Sequence, residues 1–252
     1  MKLVTFNIRC DYDQDGENSF RYRKALILDK LNKEDPDIIC FQEVLPHVAR
    51  WLRENLQEYY VIGCGRDEKL EDEMTAIAYK KMLFNLIGLD IFWLSETPKV
   101  IASRYPDQSI CPRICTVALL QNLETKECFR IYNTHLDHIG EEARRLSLLQ
   151  ILDRMEKEDN FINASAILTG DFNAFPDSPE MEVFQRYPDY IDLTAGVGGT
   201  FHDFGQLAET EKIDYIFTEK MFKCSCVSIW ENCTNGIYLS DHYPVSVEIF
   251  TK

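Results

Sequence analysis

The stretch Ala166-Ile167-Leu168-Thr169-Gly170-Asp171-Phe172-Asn173 runs a strand-forming sequence into a carboxylate and an amide, then turns through Pro176 and Pro179. A buried carboxylate is costly unless something positive meets it. The pattern recurs along the chain. Asn7 lies near the end of the apolar N-terminal run, Glu43 follows Ile38-Ile39-Cys40-Phe41-Gln42, and His135 closes the run at 130–134. Asp214 opens Tyr215-Ile216-Phe217, and Asp241-His242 precedes the run that starts at Val245. Singly, each has an ordinary explanation: Asn7 can satisfy a turn, Glu43 can cap a helix near Pro46, and Asp214 can pair with Lys212. Six strand edges that each carry Asn, Asp, Glu or His point instead to one site, because loops at sheet ends are where function concentrates.

Gathered together, Glu43, Asp171, Asp214 and Asp241 repel by about 4 kcal/mol per pair at ~4 Å and an effective dielectric near 20. Such a cluster needs a cation. Hard oxygen donors with few histidines and no cysteine suit Mg²⁺ or Mn²⁺ better than zinc. Asp171 is therefore expected to face a metal, an imidazolium or a metal-activated water. Arg113 and Arg144 are candidate phosphate clamps, since guanidinium forks fit phosphate oxygens; surface salt bridges are the ordinary alternative. His138 and His202 either line the cleft or sit on exposed loops. The run Asp11-Tyr12-Asp13-Gln14-Asp15-Gly16 copies the start of a Ca²⁺-binding EF-hand loop. The position that needs a bidentate Glu is Tyr22, however, and a strand precedes the run, so it reads as a solvated loop.

The elements that must position these residues alternate. Strands are expected at 2–8, 38–41, 59–63, 75–79 and 84–93, with helices at 22–32 and 47–56. A hairpin at 114–122 and 128–134 turns around Leu123-Glu124-Thr125-Lys126. The 141–158 segment is an amphipathic helix with Leu148, Ile151, Leu152 and Met155 on one side. Further strands follow at 166–169, 213–217, 223–230 and 245–250. Early strand–helix alternation followed by hairpins predicts two sheets packed face to face with helices outside.

With 252 residues, 45% of them hydrophobic, the chain can build a sizeable core, and residues 1–252 are expected to form one domain. MKLVTFNIRC alternates like a strand and not like a leader, and no segment approaches the roughly 20 apolar residues of a membrane span. Nine cysteines, without CxxC spacing around Cys224, Cys226 and Cys233, read as reduced thiols of a cytoplasmic protein. The net charge of −15 counts against a non-specific nucleic-acid binder, which normally presents a basic face to phosphates.

TFNIR at 5–9, Gln42-Glu43 at a strand end, GDFN at 170–173 and SDHYPV at 240–245 together resemble the endonuclease/exonuclease/phosphatase superfamily, the pancreatic deoxyribonuclease-like fold. NTHLDH at 133–138, Arg144 and GTFHDF at 199–204 resemble a bacterial branch of it. The resemblance implies a four-layer α/β sandwich, two packed mixed β-sheets flanked by helices, that cleaves phosphate esters with Mg²⁺ or Mn²⁺. On that pattern Glu43 would be the principal metal ligand, with Asn7 and Asp241 beside it. Asp171 would activate the attacking water, and Asn173 would hold the phosphate and order the site. His135 and His242 would donate to phosphate oxygens or move protons, and Asp214 would orient His242. The expected substrate is a phosphate ester, with a small molecule favoured by the charge and nucleic acid left open. A regulatory binder on the same fold has no reason to keep Glu43, Asp171, Asn173, Asp214 and His242 together.

Overall fold

Side chains alternate across each strand, and here the alternation separates two environments. On β1 (Lys2–Asn7), Leu3 faces the other sheet while Val4 and Phe6 face helices. The computed structural model describes residues 1–11, 13–158 and 163–250; Tyr12 of the acidic loop lies outside them. After β1 come α1 (Phe20–Glu34), β2 (Ile38–Gln42), α2 (Pro46–Asn55), β3 (Tyr59–Ile62), β4 (Ile77–Lys80), β5 (Phe84–Trp93) and β6 (Ile114–Asn122). The order continues with β7 (Cys128–His135), α3 (Glu141–Glu158), β8 (Ser165–Asp171), β9 (Tyr190–Asp192), β10 (Asp214–Glu219) and β11 (Lys223–Ile229). A short hairpin of β12 (Cys233–Thr234) and β13 (Ile237–Tyr238) precedes β14 (Val245–Phe250).

Two sheets of six strands form, in the orders β11-β14-β1-β2-β4-β3 and β5-β6-β7-β8-β10-β9. Each has one parallel pair at its centre, β1 with β2 and β7 with β8, and antiparallel neighbours elsewhere. Parallel strands require a crossover, which α1 supplies for β1–β2 and α3 for β7–β8. The two sheets thus repeat one arrangement. Between them lie Leu3, Ile38, Ile77, Ile131, Ile167 and Ile216. Val48, Ala49 and Leu52 of α2 and Ile27 and Leu31 of α1 cover the first sheet's outer face. Leu148, Ile151, Leu152 and Met155 of α3 cover the second's, which is the stripe the periodicity predicts. The fold is the four-layer α/β sandwich.

The space between the sheets changes character along the strands. The isoleucine layer gives way to buried amides and hydroxyls: Gln42 Nε2 donates to Asn133 Oδ1 at 2.7 Å and to Thr5 Oγ1 at 3.2 Å. Asn133 Nδ2 donates in turn to the carbonyls of Phe41 and Ala76, both at 2.9 Å. These bonds satisfy polar groups that burial would otherwise penalise, and they tie one sheet to the other. Beyond this layer lie the charged residues.

Some boundaries differ from the periodicity. The eighth strand runs on through Asp171, because Thr134 and His135 of β7 pair with Gly170 and Asp171. Strand β9, the β12–β13 hairpin and a 3₁₀ helix at Pro179–Arg186 are too short to leave a repeating signal. Glu43 does not cap α2, whose N-cap is Leu45.

Where α1 ends, Glu34 bonds Lys2 Nζ of β1 at 2.6 Å and Lys30 Nζ at 2.8 Å. Those two ammonium groups hold its carboxyl down to about 2, against about 4.3 in an unfolded chain. A depressed acid stabilises the fold above its unfolded pKa and loses that contribution as pH falls through the folded one. Glu34→Gln is therefore expected to cost about 1 kcal/mol at pH 7, given partial solvent screening. Urea titrations of both proteins should show the difference shrinking from about pH 4.5 towards pH 2.

Candidate active site

Neighbouring strands bring the polar residues into one row. His135 on β7 pairs with Asp171 on β8, which pairs with Asp214 on β10. Facing this row from the first sheet are Asn7, at the end of β1, and Glu43, one residue past β2. Gly170 makes the row possible: its φ is 147°, and a Cβ there would stand 1.9 Å from the Thr134 carbonyl oxygen. No other residue fits so close to the neighbouring strand.

Asn7 Nδ2 donates to Glu43 Oε1 at 2.9 Å and to Asp171 Oδ2 at 3.0 Å. The amide thus bridges two carboxylates, while its Oδ1 accepts from Arg9 N–H at 3.0 Å. The second Glu43 oxygen accepts from Cys10 N–H at 2.8 Å. Burial pushes the Glu43 carboxyl up, but these donors and the charges of His242 and Arg9 bring it below its ordinary value. Asp171 goes the other way: burial and then the Asp214 carboxylate raise it. His242 Nδ1 donates to Asp214 Oδ2 at 2.9 Å, and His242 Nε2 lies 3.7 Å from Asp171 Oδ2. Burial opposes the charge on His242, yet Asp214, Asp171 and Asp241 lift it to about 10. It is an imidazolium at neutral pH. His135 Nε2 sits 3.5 Å from Asp171 Oδ2, but burial and then Arg113 and Arg66 hold its pKa well down, so it is neutral.

Asn173 adopts φ 48°. Its N–H donates to Asp171 Oδ1 at 2.9 Å and its Nδ2 to the Leu136 carbonyl at 3.0 Å, so it fixes the loop after β8. Glu43 (φ 62°) and Arg9 (φ 61°) also take left-handed backbone. Asn tolerates this conformation, whereas Glu and Arg are held there at a cost of order 1 kcal/mol or more each. Asp241 is buried between Ser240 Oγ at 3.0 Å and Arg9 Nη1 at 3.3 Å. Arg9 in turn bonds Asp15 of the acidic loop at 3.1 Å.

A cleft of about 550 Å³ opens over this row, lined by Glu43, His135, Asp171, Asn173, Asp241 and His242 and, further along, by Arg66, Glu73, Arg113 and His138. Arg113 is buried, lying 3.5 Å from Asp137 Oδ2 and donating to His138 Nδ1 at 3.0 Å. Arg66 pairs with Glu73 at 2.7 Å and Asp72 at 3.0 Å. Asp214 stands behind His242. Arg144 is not on the cleft wall, contrary to its expected place: it is spent on Glu180 (2.5 Å) and the Asp137 carbonyl (3.0 Å), where it braces the turn that carries His138. His202 also lies off the wall, stacked on Tyr243 at 3.8 Å. Lys212 does not hydrogen-bond the Asp214 carboxylate: it donates to the Asp214 backbone carbonyl at 3.4 Å and to Thr194 Oγ1 at 2.9 Å.

Sequence reading missed Arg9, Arg66, Glu73 and Asp137. Arg9 had a signal, its period-two spacing from Asn7; Arg66 and Glu73 had none. It also missed Arg23. This fully buried guanidinium donates to the carbonyls of Ile8 (2.7 Å), Arg9 (3.2 Å), Asn18 (2.5 Å) and Leu239 (2.8 Å). It thereby joins the segment after Asn7 to the segment before Asp241.

Could the site hold a divalent cation? Ligand atoms of Glu43, His135 and Asp171 all lie within 4.8 Å of one another. His135 presents a neutral ring, and the carboxylates are hard donors, so the set fits such an ion. Two six-stranded sheets packed face to face, with this row of carboxylates and imidazoles at one end, define the architecture and the site. A family model described as the Endonuclease/Exonuclease/phosphatase family matches residues 4–242, and the chain belongs to that family, whose members hydrolyse phosphoesters. An endonuclease/exonuclease/phosphatase of Bacteroides vulgatus superposes with TM-score 0.92 at 34% identity, covering 100% of this chain and 98% of that one. The mannosyl-6-phosphatase of Bacteroides thetaiotaomicron superposes with TM-score 0.90 at 29% identity, with 99% of each chain covered. An uncharacterized protein of Acanthamoeba polyphaga mimivirus is 26% identical over 98% of this chain and 99% of its own length. No helix among the described residues is long and apolar enough to cross a membrane.

Removing Arg23 would leave the buried carbonyls of Ile8 and Leu239 and the part-buried ones of Asn18 and Arg9 without this donor, at about 1–3 kcal/mol for each that finds no water. Arg23→Ala is expected to lose at least ~3 kcal/mol in chemical denaturation. Arg23→Lys should recover only part, because an ammonium cannot reproduce the guanidinium fork. Full stability in Arg23→Ala would show that the two segments are held by other contacts.

Proposed function

We propose that the protein is a Mg²⁺- or Mn²⁺-dependent hydrolase of a small phosphate ester. The observation that carries this reading is the convergence of Glu43, His135 and Asp171 in a cleft that the buried Arg66 and Arg113 also line. Glu43 would hold the cation, with Asn7 and Asp241 beside it, and Asp171 and His135 would face the water and phosphoryl group next to it. A divalent ion bound there supplies positive charge to the phosphoryl group and lowers the pKa of water.

Asp171 accepts the proton of the attacking water. Its buried carboxylate lies within reach of a water in the cleft, as a general base requires. Asn7 and the Asn173 N–H fix the direction of its oxygens. His242, kept charged by Asp214, donates a proton or a hydrogen bond to a phosphoryl oxygen where negative charge develops. His135, with a neutral ring, is a second donor. Arg113 and Arg66 attract the anionic ester to the His135 side of the cleft. A polynucleotide needs a basic track, and a chain of net charge −15 leans towards a small substrate. The likeness to a mannosyl-6-phosphatase makes sugar phosphates the first compounds to test.

A panel of sugar phosphates, inositol phosphates, nucleotides, a diester and a short oligonucleotide tests this. Turnover should stop with chelator and return with Mg²⁺ or Mn²⁺. Asp171→Asn should lower it by roughly 10²–10⁴ with little change in substrate affinity. Near-normal turnover in a folded Asp171→Asn protein would rule out its role as the base, and an oligonucleotide preferred to every small ester would assign a nuclease.

A further inference from the structure

A recess of about 10 Å³ adjoins the cleft and shares Glu43, Arg66, Glu73, Arg113 and His135 with its wall. That is the room taken by about one water-sized group, too little for a second phosphoryl group. The loop after β3 builds one side of it. Val44, next to Glu43, pairs with Met74, next to Glu73, so the two carboxylate-bearing segments lie side by side. Gly65 lets the loop close, since a Cβ there would stand 2.6 Å from the Asp72 backbone. Arg66 N–H donates to the Glu73 carbonyl at 3.2 Å, and its guanidinium bonds Asp72 at 3.0 Å and Glu73 Oε1 at 2.7 Å.

Arg66, Glu73 and Arg113 are only 5%, 8% and 4% exposed, yet polar valences are left over among them. Arg113 Nε and Nη1 are buried without a hydrogen-bond partner, and so is His135 Nδ1. Glu73 Oε2 accepts no hydrogen bond among the described residues. Buried polar groups are normally paired, and each exception calls for an occupant. The chemistry of the set selects that occupant. A second anion would meet the arginines but be repelled by Glu73 and Glu43, and an apolar group would satisfy neither sign. A hydroxyl both donates and accepts, so it can bond Glu73 and Arg113 together, and it has the size of the recess.

We infer that Glu73, clamped by Arg66 and accompanied by Arg113, is a specificity residue that takes a hydroxyl of the substrate's alcohol, so that the preferred ester carries a hydroxyl within a few bonds of the esterified carbon. This rests on the phosphate-ester reading of the cleft. The reach follows from the shared walls: Glu43 and His135 belong both to the catalytic row and to the recess. A phosphoryl group on that row therefore leaves the near carbons of its alcohol beside the recess. Polyol and sugar monophosphates carry a hydroxyl there; simple alkyl phosphates do not.

Propyl phosphate, glycerol 3-phosphate and phosphoglycolate test it, since beside the phosphate they carry no polar group, hydroxyls and a carboxylate, respectively. Calorimetry with Mg²⁺ on the Asp171→Asn protein reads affinity without turnover, and turnover is measured separately on the wild type. A hydrogen bond to a charged group gives about a tenfold gain or more, so glycerol 3-phosphate should bind at least about tenfold more tightly than propyl phosphate. With Glu73→Gln added, that ratio should fall to about threefold or less, and taking the ratio cancels any general effect of the lost charge. The melting temperature checks that the added variant is folded; the comparison of esters without it stands in either case. Equal affinities for the two esters would mean that the recess holds an ordered water only, and would overturn the inference. So would a ratio unchanged by Glu73→Gln, no binding of any ester, or phosphoglycolate binding most tightly, which would assign the arginines to an anion. A ratio that collapses as expected, with no turnover of any ester by the wild type, would sink the hydrolase reading and leave the subsite standing. Turnover without preference would do the reverse.

Discussion

Like charges are buried at one end of the seam between two sheets, and the rest of the structure is arranged around that. Glu43, Asp171, Asp214 and Asp241 share this end, and the protein cations paired there are His242 with Asp214 and Arg9 with Asp241. Glu43 and Asp171 share the Asn7 amide, and the imidazolium near Asp171, His242 at 3.7 Å, is already hydrogen-bonded to Asp214. An amide can orient two carboxylates but cannot neutralise them. That deficit separates a cation site from an ordinary buried ion-pair network. It also explains the opposite behaviour of the imidazoles: His242 faces three carboxylates and is charged, while His135 lies under two arginines and is neutral.

Such a site needs rigid support on the side away from solvent. The Gln42–Asn133–Thr5 layer supplies it by hydrogen-bonding sheet to sheet between the isoleucine layer and the charges. Left-handed backbone at Arg9, Glu43 and Asn173 fits the same picture, since strained residues persist where surrounding bonds over-determine them. The apolar side of the amphipathic helix α3 covers the outer face of the second sheet, so that sheet's charged groups gather at the mouth of the seam.

Much of this was legible in the chain because two periodicities carry it. Alternation located most strands, and the α3 stripe of Leu148, Ile151, Leu152 and Met155 located its helix and its buried face. Asn7, Glu43, His135, Asp171, Asp214 and His242 stood out because polar residues at strand ends break the apolar pattern. The structure brings all six together. Arg144 misled because a guanidinium near a motif carries no sign of whether its partner is a ligand or Glu180. Arg23 was invisible because its partners are backbone carbonyls, which leave no side-chain signal, and Arg66 and Glu73, paired seven positions apart in a loop, fall on no periodic pattern. The extension of β8 through Asp171 could not be read either, since it depends on pairing with β7.

The central claim is that Glu43 and Asp171 are incomplete without a divalent cation, and the most direct test is the melting temperature of the chelated protein titrated with Mg²⁺. Binding at about 100 times the dissociation constant adds roughly 2.7 kcal/mol, or about 5–10 °C for a chain of this length. The account predicts that rise in the wild type. It predicts no rise in Glu43→Gln, whose chelated form should melt somewhat below the wild-type temperature because the donors of Cys10 and Asn7 and the charges of His242 and Arg9 favour the ionised carboxyl. An unchanged melting temperature in the wild type at saturating Mg²⁺ and Mn²⁺, or an equal rise in Glu43→Gln, would contradict it.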